Sequence, residues 1–448
     1  MTQLSRLGLF DARVPRYTSY PTAPQFSDRV GPERTRDWIR AIPPGSEISL
    51  YLHVPFCRHL CWFCACRTQG TQRPDTVRLY LDTLLTEIEQ LAPLLPAGVT
   101  LSRLHWGGGT PTLLPAPMIR ELSQAIAAVL PMAPGGEFSV EIDPNEIDED
   151  RIAALAAAGM NRASIGVQDF DPQIQQIIGR IQSYDITAEA VRLIRAAGVK
   201  SLNADILYGL PDQSRTRIAE SVQKLLSLSP DRVALYGYAH VPWMARRQSM
   251  IPSDRLPTPQ ERLDLFDTAR RLFLWDGYQE IGIDHFAKPG DGMARAAREG
   301  RLRRNFQGYT EDPAEVLIGL GASSISRFPQ GYAQNAASTS DYTAQVRAGG
   351  LPTRRGHAFT AEDIVRERLI ERLMCDFAVD IAHVLTPDGP PAAEVCGWMT
   401  AAAAQFGDFV RFDGDRFQIT PEGRPLARMI ARAFDAYDMS KAGHSTAV

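Results

Sequence analysis

Short apolar runs alternate with amphipathic segments of helical periodicity from about residue 47 onward, and this unit occurs six times. Each run has the length of a strand and ends in a polar or glycine-rich turn. One of the helical segments, 187–198, ends at Gly198, a residue suited to a helix C-terminus. Strands that alternate with helices predict βαβ units and a parallel sheet. The six runs are I-S-L-Y-L-H-V (48–54), L-S-R-L-H-W (101–106), F-S-V-E-I (138–142), R-A-S-I-G-V (162–167), S-L-N-A-D-I-L (201–207) and R-V-A-L-Y-G-Y (232–238).

Six such units predict an α/β fold, a partial (β/α)6 barrel of the TIM type. In folds of this kind, ligands bind at the carboxyl ends of the strands. Any one polar residue there has an ordinary alternative, as a satisfied polar group of the core or as part of a turn. Because all six strands end in such residues, a binding site at this rim is the favoured interpretation. The residues concerned are Tyr51, His53, Gly107, Gly108, Gly109, Thr110, Glu141, Gln168, Asp205, Tyr238, Ala239 and His240.

The pattern changes after the sixth strand, which indicates further domains. The segment 243–305 is charged and predicted to be helical, and the stretch 347–356 is rich in glycine, proline and arginine. We therefore predict an N-terminal segment (1–35) that wraps over the barrel, a large barrel domain (36–350) and a smaller, mostly helical C-terminal domain (356–448).

The C-terminal domain is predicted to resemble a winged helix. The segment 409–423 indicates a hairpin that turns at Asp413-Gly414, with a helix beginning near Pro421. Wings of this kind often bind DNA, but this one carries both Asp and Arg side chains. We therefore expect it to cover the active site.

Composition is typical of a globular protein, with 448 residues of which 44% are hydrophobic and 22% charged. The formal net charge of −4 does not favour nucleic acid as a partner. The first residues include Asp11 and no long apolar run, which argues against a signal peptide. We find no apolar stretch of about 18 residues that would span a membrane. These features predict a soluble, cytoplasmic protein with reduced thiols.

Four cysteines between residues 57 and 66 are the most specific feature of the chain. Cys57, Cys61 and Cys64 form C-x3-C-x2-C, and Cys66 follows. Three thiolates can hold three irons of a [4Fe–4S] cluster and leave the fourth iron open. Zinc is an alternative, although structural zinc prefers two ligand pairs on a longer loop. A disulfide and a four-cysteine electron-transfer cluster are the remaining alternatives.

Motifs over nearly the whole chain resemble those of the oxygen-independent coproporphyrinogen III oxidases, a radical S-adenosylmethionine (SAM) family of haem synthesis. The cysteine loop alone is typical of the whole superfamily. R-Y-T-S-Y-P-T (16–22) and N-F-Q-G-Y-T (305–310) are more specific for the oxidases. The other matching motifs are Y-L-H-V-P-F-C (51–57), G-G-G-T-P-T (107–112), E-I-D-P-N-E (141–146), G-V-Q-D-F (166–170), Y-G-L-P (208–211), D-H-F-A (284–287) and Y-A-Q-N (332–335).

The resemblance implies two cofactors, a [4Fe–4S] cluster on Cys57, Cys61 and Cys64 and two molecules of SAM. It also implies three groups of site residues. Contacts to the SAM at the open iron are expected from Tyr51, Gly108, Glu141 and Ile325. The second SAM site is expected to contain Phe63, Gly109, Thr110, Gln168, Arg180, Asp205 and Ala239, with Arg180 on a helix. Phe306 and Gln307 are further expected cofactor contacts, and Tyr51, His53 and Cys66 are expected to assist catalysis.

The chemistry implied by the resemblance is oxidative decarboxylation. A 5′-deoxyadenosyl radical removes hydrogen from a propionate β-carbon, and loss of carbon dioxide and one electron leaves a vinyl group. Two rounds convert coproporphyrinogen III to protoporphyrinogen IX. A haem-binding chaperone and a radical SAM methyltransferase on the same scaffold are the alternatives.

The same resemblance implies partners. We expect an external electron donor such as flavodoxin or ferredoxin, and a monomeric protein. The substrate carries four carboxylates, which require basic partners. The candidates are Arg16, Arg303, Arg304, Arg354 and Arg355.

Overall fold

One twelve-stranded sheet dominates the computed structural model, which describes residues 7–10 and 12–438. The six predicted strands are adjacent and parallel in it, which confirms the predicted α/β partial barrel. The strands of this sheet are β1 (Glu47–Val54), β2 (Thr100–Gly108), β3 (Met132–Ile142), β4 (Arg162–Gln168), β5 (Ser201–Tyr208), β6 (Arg232–Gly237), β7 (Gln279–Ile281), β8 (His285–Ala287), β9 (Leu317–Leu320), β10 (Ile325–Phe328), β11 (Gly331–Asn335) and β12 (Thr353–Ala358), in the order β12-β11-β10-β9-β1-β2-β3-β4-β5-β6-β8-β7.

Helices follow the central strands along the chain and bury their apolar faces against the sheet. In Pro74–Leu91, for example, Leu81, Leu84 and Ile88 recur at helical spacing and are almost fully buried. The α-helices are Pro32–Arg40, Pro74–Leu91, Ala116–Val129, Glu149–Ala157, Pro172–Ile178, Tyr184–Ala196, Arg215–Ser227, Pro259–Trp275, Gly292–Arg298, Thr339–Arg347, Ala361–Asp376, Ile381–Val384, Ala392–Phe406 and Ala427–Arg432.

The central strands have an apolar outer face and a polar inner face. In β1, Leu50 and Leu52 are buried in the main hydrophobic core. Ser49, Tyr51 and His53 alternate with them and therefore point to the opposite face. Because a barrel interior is filled by the side chains of its own strands, this alternation leaves polar groups along the inside of the barrel.

A layer of ion pairs closes the barrel at the amino ends of its strands. Glu137 lies 3.1 Å from Arg103 and 2.7 Å from Arg162, and Arg232 lies 2.5 Å from Asp291. Burial acts to raise the pKa of Glu137, but Arg162, Arg103 and Arg232 outweigh it and lower that pKa. The layer therefore consists of charged side chains paired with one another. Ligands can bind at the opposite end of the barrel, where the strands have their carboxyl ends.

Glu87 ties the helix Pro74–Leu91 to the turn after β9. Its buried carboxylate accepts hydrogen bonds from the Tyr342 hydroxyl at 2.7 Å, from the Gly321 N–H at 2.8 Å and from the Asn335 amide at 2.9 Å. Burial raises the pKa of Glu87 to about 7, against the effect of these donors. The side chain therefore holds three donors that have little access to water.

Replacing Glu87 by alanine is expected to lower the free energy of unfolding by about 3 kcal/mol, because three buried donors lose their acceptor. Thermal unfolding followed by circular dichroism measures the effect. Glu89→Ala is the matched control, because Glu89 is exposed on the same helix. Equal melting temperatures for the two variants would contradict the structural role of Glu87.

The charged segment 243–305 is less helical than its sequence predicts. Its α-helices are Pro259–Trp275 and Gly292–Arg298, and the antiparallel strands β7 and β8 lie between them. Gly277 and Gly282 have positive φ angles of 84° and 57° and make the turns on either side of β7. Strands of three residues are too short to give a periodic pattern.

The last strand of the large sheet lies across the predicted domain boundary. Residues 353–358 form β12, which pairs antiparallel with β11. The division into domains remains a prediction, and this pairing favours a boundary after Ala358.

The C-terminal part contains the predicted hairpin. Val410–Phe412 and Arg416–Ile419 pair antiparallel, and Ala378–Asp380 adds a third strand. A 3₁₀ turn, Pro421–Leu426, precedes the last α-helix, so the regular helix begins several residues after the predicted start near Pro421. None of the described helices combines the length and the apolar character needed to cross a membrane.

The described part of the N-terminal segment lies against the C-terminal part. Arg428 donates to the Pro15 carbonyl at 3.0 Å, and the Tyr17 hydroxyl donates to Asp435 at 3.0 Å. Ser27 forms an isolated bridge with Gly356 of β12. The predicted wrapping of this segment over the barrel stays a prediction, and residues 1–6 and 11 of it lie outside the described residues.

Candidate active site

The cysteine loop follows β1 directly and is hydrogen-bonded to the end of the helix Pro172–Ile178. The Trp62 N–H donates to the Ile178 carbonyl at 2.9 Å. Gly179 follows with φ +66°, and a Cβ atom there would lie 2.9 Å from the Trp62 ring. A glycine is therefore required where the loop crosses the end of the helix Pro172–Ile178.

The four thiols of the loop are free, and their surroundings differ. Burial raises the pKa of Cys57 to about 11 although Thr110 hydrogen-bonds it. The Cys66 thiol and the Cys66 N–H, 3.4 Å away, hydrogen-bond the sulfur of Cys64 and lower its pKa to about 6. Cys66 itself is exposed to solvent.

The three thiols of the C-x3-C-x2-C spacing suit an iron–sulfur cluster. Among residues 7–10 and 12–438, no three His, Cys, Asp or Glu side chains converge on one point. In a cubane, three cysteines bind three separate irons and stand further apart. The Arg180 guanidinium lies 3.5 Å from the Cys61 sulfur and would offset the charge of thiolates. Cys57, Cys61 and Cys64 would hold the cluster.

The glycine turn after β2 packs against the start of this loop. Gly108 has φ +111°, and a Cβ atom there would lie 2.5 Å from the His53 ring. A Cβ atom on Gly109 would lie 2.5 Å from the Phe56 carbonyl, which accepts the Thr110 N–H at 2.7 Å. Only glycine permits the backbone of this turn to come so close to the start of the cysteine loop. The turn is thereby held beside the cysteines.

Glu141, near the end of β3, is held as a carboxylate at the same rim. It accepts the Gly108 N–H at 2.9 Å and lies 3.3 Å from His105 Nε2. Burial acts to raise the pKa of Glu141, but the hydrogen bonds from His105 and Gly108 outweigh it and lower that pKa. An anionic oxygen at this place can accept an ammonium group of a ligand.

His53 is placed to orient Tyr51. Its Nε2 lies 3.1 Å from the Arg67 carbonyl and must donate to it, so Nδ1 is the acceptor for the Tyr51 hydroxyl at 3.0 Å. Burial lowers the pKa of His53. The imidazole is therefore neutral, and its geometry favours a role in orienting the Tyr51 hydroxyl rather than in donating a proton.

Arg180 does not lie on a helix as expected, because the helix ends at Ile178 and Gly179 is left-handed. Its side chain is buried, donates to the Gly166 carbonyl at 2.9 Å and lies 3.3 Å from Asp143. A Cβ atom on Gly166 would contact both Arg180 and Gln168, so these two side chains are neighbours. The structure thus brings Arg180 to the cluster loop rather than to solvent.

Asp205 lies on the inner face of β5. Burial raises the pKa of Asp205 to about 6, and the charge of Glu141 acts in the same direction. A hydrogen bond from Asn203 at 2.9 Å acts to lower that pKa. Asn203 in turn donates to Ser164 at 2.8 Å. The carboxyl group is therefore oriented by Asn203 of its own strand, which is itself held by Ser164 of β4.

Gln248 connects the sixth strand end to the cysteine loop, and the sequence analysis missed it. Its buried amide nitrogen donates to the Phe63 carbonyl at 2.7 Å and to the Ala239 carbonyl at 3.0 Å. Its oxygen accepts the Val241 N–H at 2.6 Å. Phe63 and Ala239, which are both expected at the second SAM site, are thus joined by the Gln248 side chain.

The remaining predicted residues lie further along the sheet and inside the barrel. Phe306 contacts the edge of the Tyr332 ring, with 5.4 Å between centroids. Gln307 lines a small internal cavity together with His105. Ile325 lies over Gly319, the strand neighbour of Tyr51. Their assignment as cofactor contacts stays a prediction.

The five arginines predicted to bind substrate carboxylates lie in different places. Arg16 lines the large cavity described below. Arg303 is paired with Glu371 at 2.9 Å, and Arg304 lies over the Tyr309 ring. The other two are on β12, where Arg354 is exposed and Arg355 donates to Gln334 at 2.7 Å.

Two family models match the chain, the radical SAM superfamily at residues 51–225 and the HemN C-terminal domain at residues 359–426. The first match contains the cysteine loop, the glycine turn and Glu141, which meet at one rim of the barrel. Fold and site together define a radical SAM enzyme.

Relatives of the chain narrow this class. It is 66% identical over 447 residues to an oxygen-independent coproporphyrinogen III oxidase of Paracoccus denitrificans, covering 100% of this chain and 99% of that protein. It is 57% identical to one of Cereibacter sphaeroides, covering 98% of each chain. A solved structure of coproporphyrinogen III oxidase from Escherichia coli, described as a radical SAM enzyme, matches with a TM-score of 0.90 at 37% identity, covering 95% of this chain and 100% of that one. The chain belongs to the oxygen-independent coproporphyrinogen III oxidases.

Proposed function

We propose that this chain catalyses the oxygen-independent decarboxylation of two propionate side chains of coproporphyrinogen III, giving protoporphyrinogen IX. The observation that carries the proposal is the loop of Cys57, Cys61 and Cys64 beside Glu141, in a chain whose full length matches named oxidases. The reaction makes the chain an oxidoreductase of haem synthesis.

The residues of the rim have distinct roles in this proposal. Cys57, Cys61 and Cys64 hold the cluster. Glu141 accepts a hydrogen bond from the amino group of SAM. Asp205 accepts the corresponding hydrogen bond at the second SAM site. When bound, reduced cluster and SAM supply the radical that removes the propionate hydrogen. The protein orients the ligands and excludes water, which matters because a primary radical reacts with whatever lies nearest.

The partners follow from the same site. An external one-electron donor, such as a flavodoxin or ferredoxin, reduces the cluster. We further propose that the protein acts as a monomer in the cytoplasm. The haem-binding chaperone and methyltransferase alternatives are not favoured, because the relatives that match the full length are named oxidases.

An anaerobic assay of the reconstituted protein with SAM, a reductant and coproporphyrinogen III tests the function. Chromatography is expected to show protoporphyrinogen IX together with 5′-deoxyadenosine. Deoxyadenosine with a methylated product would instead identify a methyltransferase. Stoichiometric haem binding without either product would identify a haem-handling protein.

A further inference from the structure

A cavity of about 410 Å³ lies between the barrel rim and the C-terminal part. Tyr208 and Ala239, at the carboxyl ends of β5 and β6, form one wall, and Phe377 and Arg428 form the opposite one. Arg16 of the N-terminal segment also lines it. Three separate parts of the chain therefore enclose this space.

Gln248 links the wall of the cavity to the cysteine loop. Ala239 lines the cavity. The side-chain amide nitrogen of Gln248 donates to the Ala239 carbonyl and also to the Phe63 carbonyl. Phe63 lies between Cys61 and Cys64 of the loop. One wall of the cavity is thus joined to the cysteine loop by a single side chain.

Positive charge in the cavity exceeds the negative charge that faces it. Arg270 is paired with Glu280 at 2.9 Å. Arg16 and Arg262 form no ion pair with a carboxylate of residues 7–10 and 12–438, and instead donate to the backbone carbonyls of Gly237 at 2.8 Å and Tyr238 at 2.9 Å. The Arg262 Nε is buried without an acceptor.

The acidic residues of the lining each have a partner, although the charge of Arg16 also acts on Asp284 and helps to lower its pKa. Asp267 is paired with Arg271 at 2.6 Å, and Asp284 with His285 at 2.7 Å. Burial and the nearby charge of Arg16 lower the pKa of Arg262. Buried cations that repel one another in this way are stabilised by an anion.

Aromatic rings form much of the rest of the lining. Tyr208 and Phe266 contact each other with 5.5 Å between ring centroids, and the Arg262 guanidinium lies 5.7 Å from the Tyr208 ring. Phe377 faces the cavity from the C-terminal part. Such a lining suits a large ligand that is apolar over most of its surface and carries carboxylates.

We propose that this cavity binds the carboxylates of the tetrapyrrole substrate, with Arg262 and Arg16 as the anion-binding residues. The identity of the ligand rests on the proposed function. A propionate held here positions the macrocycle with another propionate towards the cysteine loop. Guanidinium groups bind carboxylates through two parallel hydrogen bonds, so they fix orientation as well as affinity.

The test uses the full chain and coproporphyrin III, the oxidised and stable form of the substrate, with binding followed by fluorescence quenching. Arg262→Gln keeps an amide donor for the Tyr238 carbonyl but removes the charge. It is expected to weaken binding by about 10- to 100-fold, with a matching rise in KM. Arg262→Lys restores part of the affinity, and Arg16→Gln weakens binding independently. Arg192→Gln is the control, since Arg192 is 58% exposed and paired with Glu189 on a distant helix.

Formation of 5′-deoxyadenosine without porphyrin reports whether cluster and SAM sites are intact in each variant. If Arg262→Gln and Arg16→Gln both bind coproporphyrin III as tightly as the parent, while the parent decarboxylates its substrate, the cavity proposal is wrong and the proposed function stands. If Arg262→Gln does not fold, Arg16→Gln decides by the same criterion. A parent protein that neither binds coproporphyrin III nor releases carbon dioxide would instead overturn the proposed function.

Discussion

Serine in place of Cys61 is expected to abolish both cluster and activity. A hydroxyl is a poor substitute for the thiolate that holds an iron, and only three of the four loop cysteines are ligands in our proposal. Reconstituted Cys61→Ser should lack the visible absorption of a [4Fe–4S] cluster and form no 5′-deoxyadenosine. Iron and sulfide content, measured with the absorption spectrum, gives the result directly.

The matched control lies in the same loop. Cys66→Ser is expected to retain iron and sulfide, because Cys66 lies outside the C-x3-C-x2-C spacing. If Cys66→Ser loses as much iron as Cys61→Ser, the site is a four-cysteine electron-transfer cluster, and the radical mechanism has no open iron to use.

Alanine in place of Gly108 is the substitution with the second largest expected effect. The backbone there has φ +111°, which L-residues rarely adopt, and the new methyl group would overlap the His53 ring at 2.5 Å. Relief requires His53 or the turn to move, and with them the Tyr51 hydroxyl and the N–H that binds Glu141. Because a displacement of about 1 Å at a catalytic site costs about 100-fold in rate, we expect a loss of that size in deoxyadenosine formation.

Gly198→Ala is the control that distinguishes the effect of backbone strain from the effect of the steric overlap with His53. Gly198 also has a positive φ, +86°, but no atom lies within 4 Å of the position of its Cβ. Both variants should lose about 1 kcal/mol of stability from backbone strain. Only Gly108→Ala should lose activity, and similar rates for the two variants would show that the approach to His53 is not critical.

The six central strands could be predicted because each is apolar on the side under the helices and ends in a polar residue. The cysteine loop, the glycine turn and Glu141 meet because parallel strands bring their carboxyl ends to one rim. This is a consequence of topology, so the order of motifs in the chain was sufficient to predict it. The hydrogen bonds of His53 to Tyr51 and to the Arg67 carbonyl, and of His105 to Glu141, depend on distances that no pattern contains.

Other parts of the site could not be predicted, for physical reasons. Gln248 lies on the short 3₁₀ helix Arg246–Met250, which has no periodicity to mark a buried polar side chain. Arg262 lies on the charged helix Pro259–Trp275, where an arginine usually faces water. Its cavity exists only because the C-terminal part and the N-terminal segment close over it, and that packing joins residues more than 200 positions apart.

The ion pairs of Glu137 and Asp291 at the amino end of the barrel have a consequence for turnover. Closure of the amino end leaves the carboxyl ends of the strands for the exchange of ligands. If methionine and deoxyadenosine leave on the side where the macrocycle binds, a porphyrinogen that stays bound for its second decarboxylation traps the products of the first SAM molecule. We therefore expect a second molecule of SAM within reach before the first round begins, or a release and rebinding of the half-converted substrate between rounds.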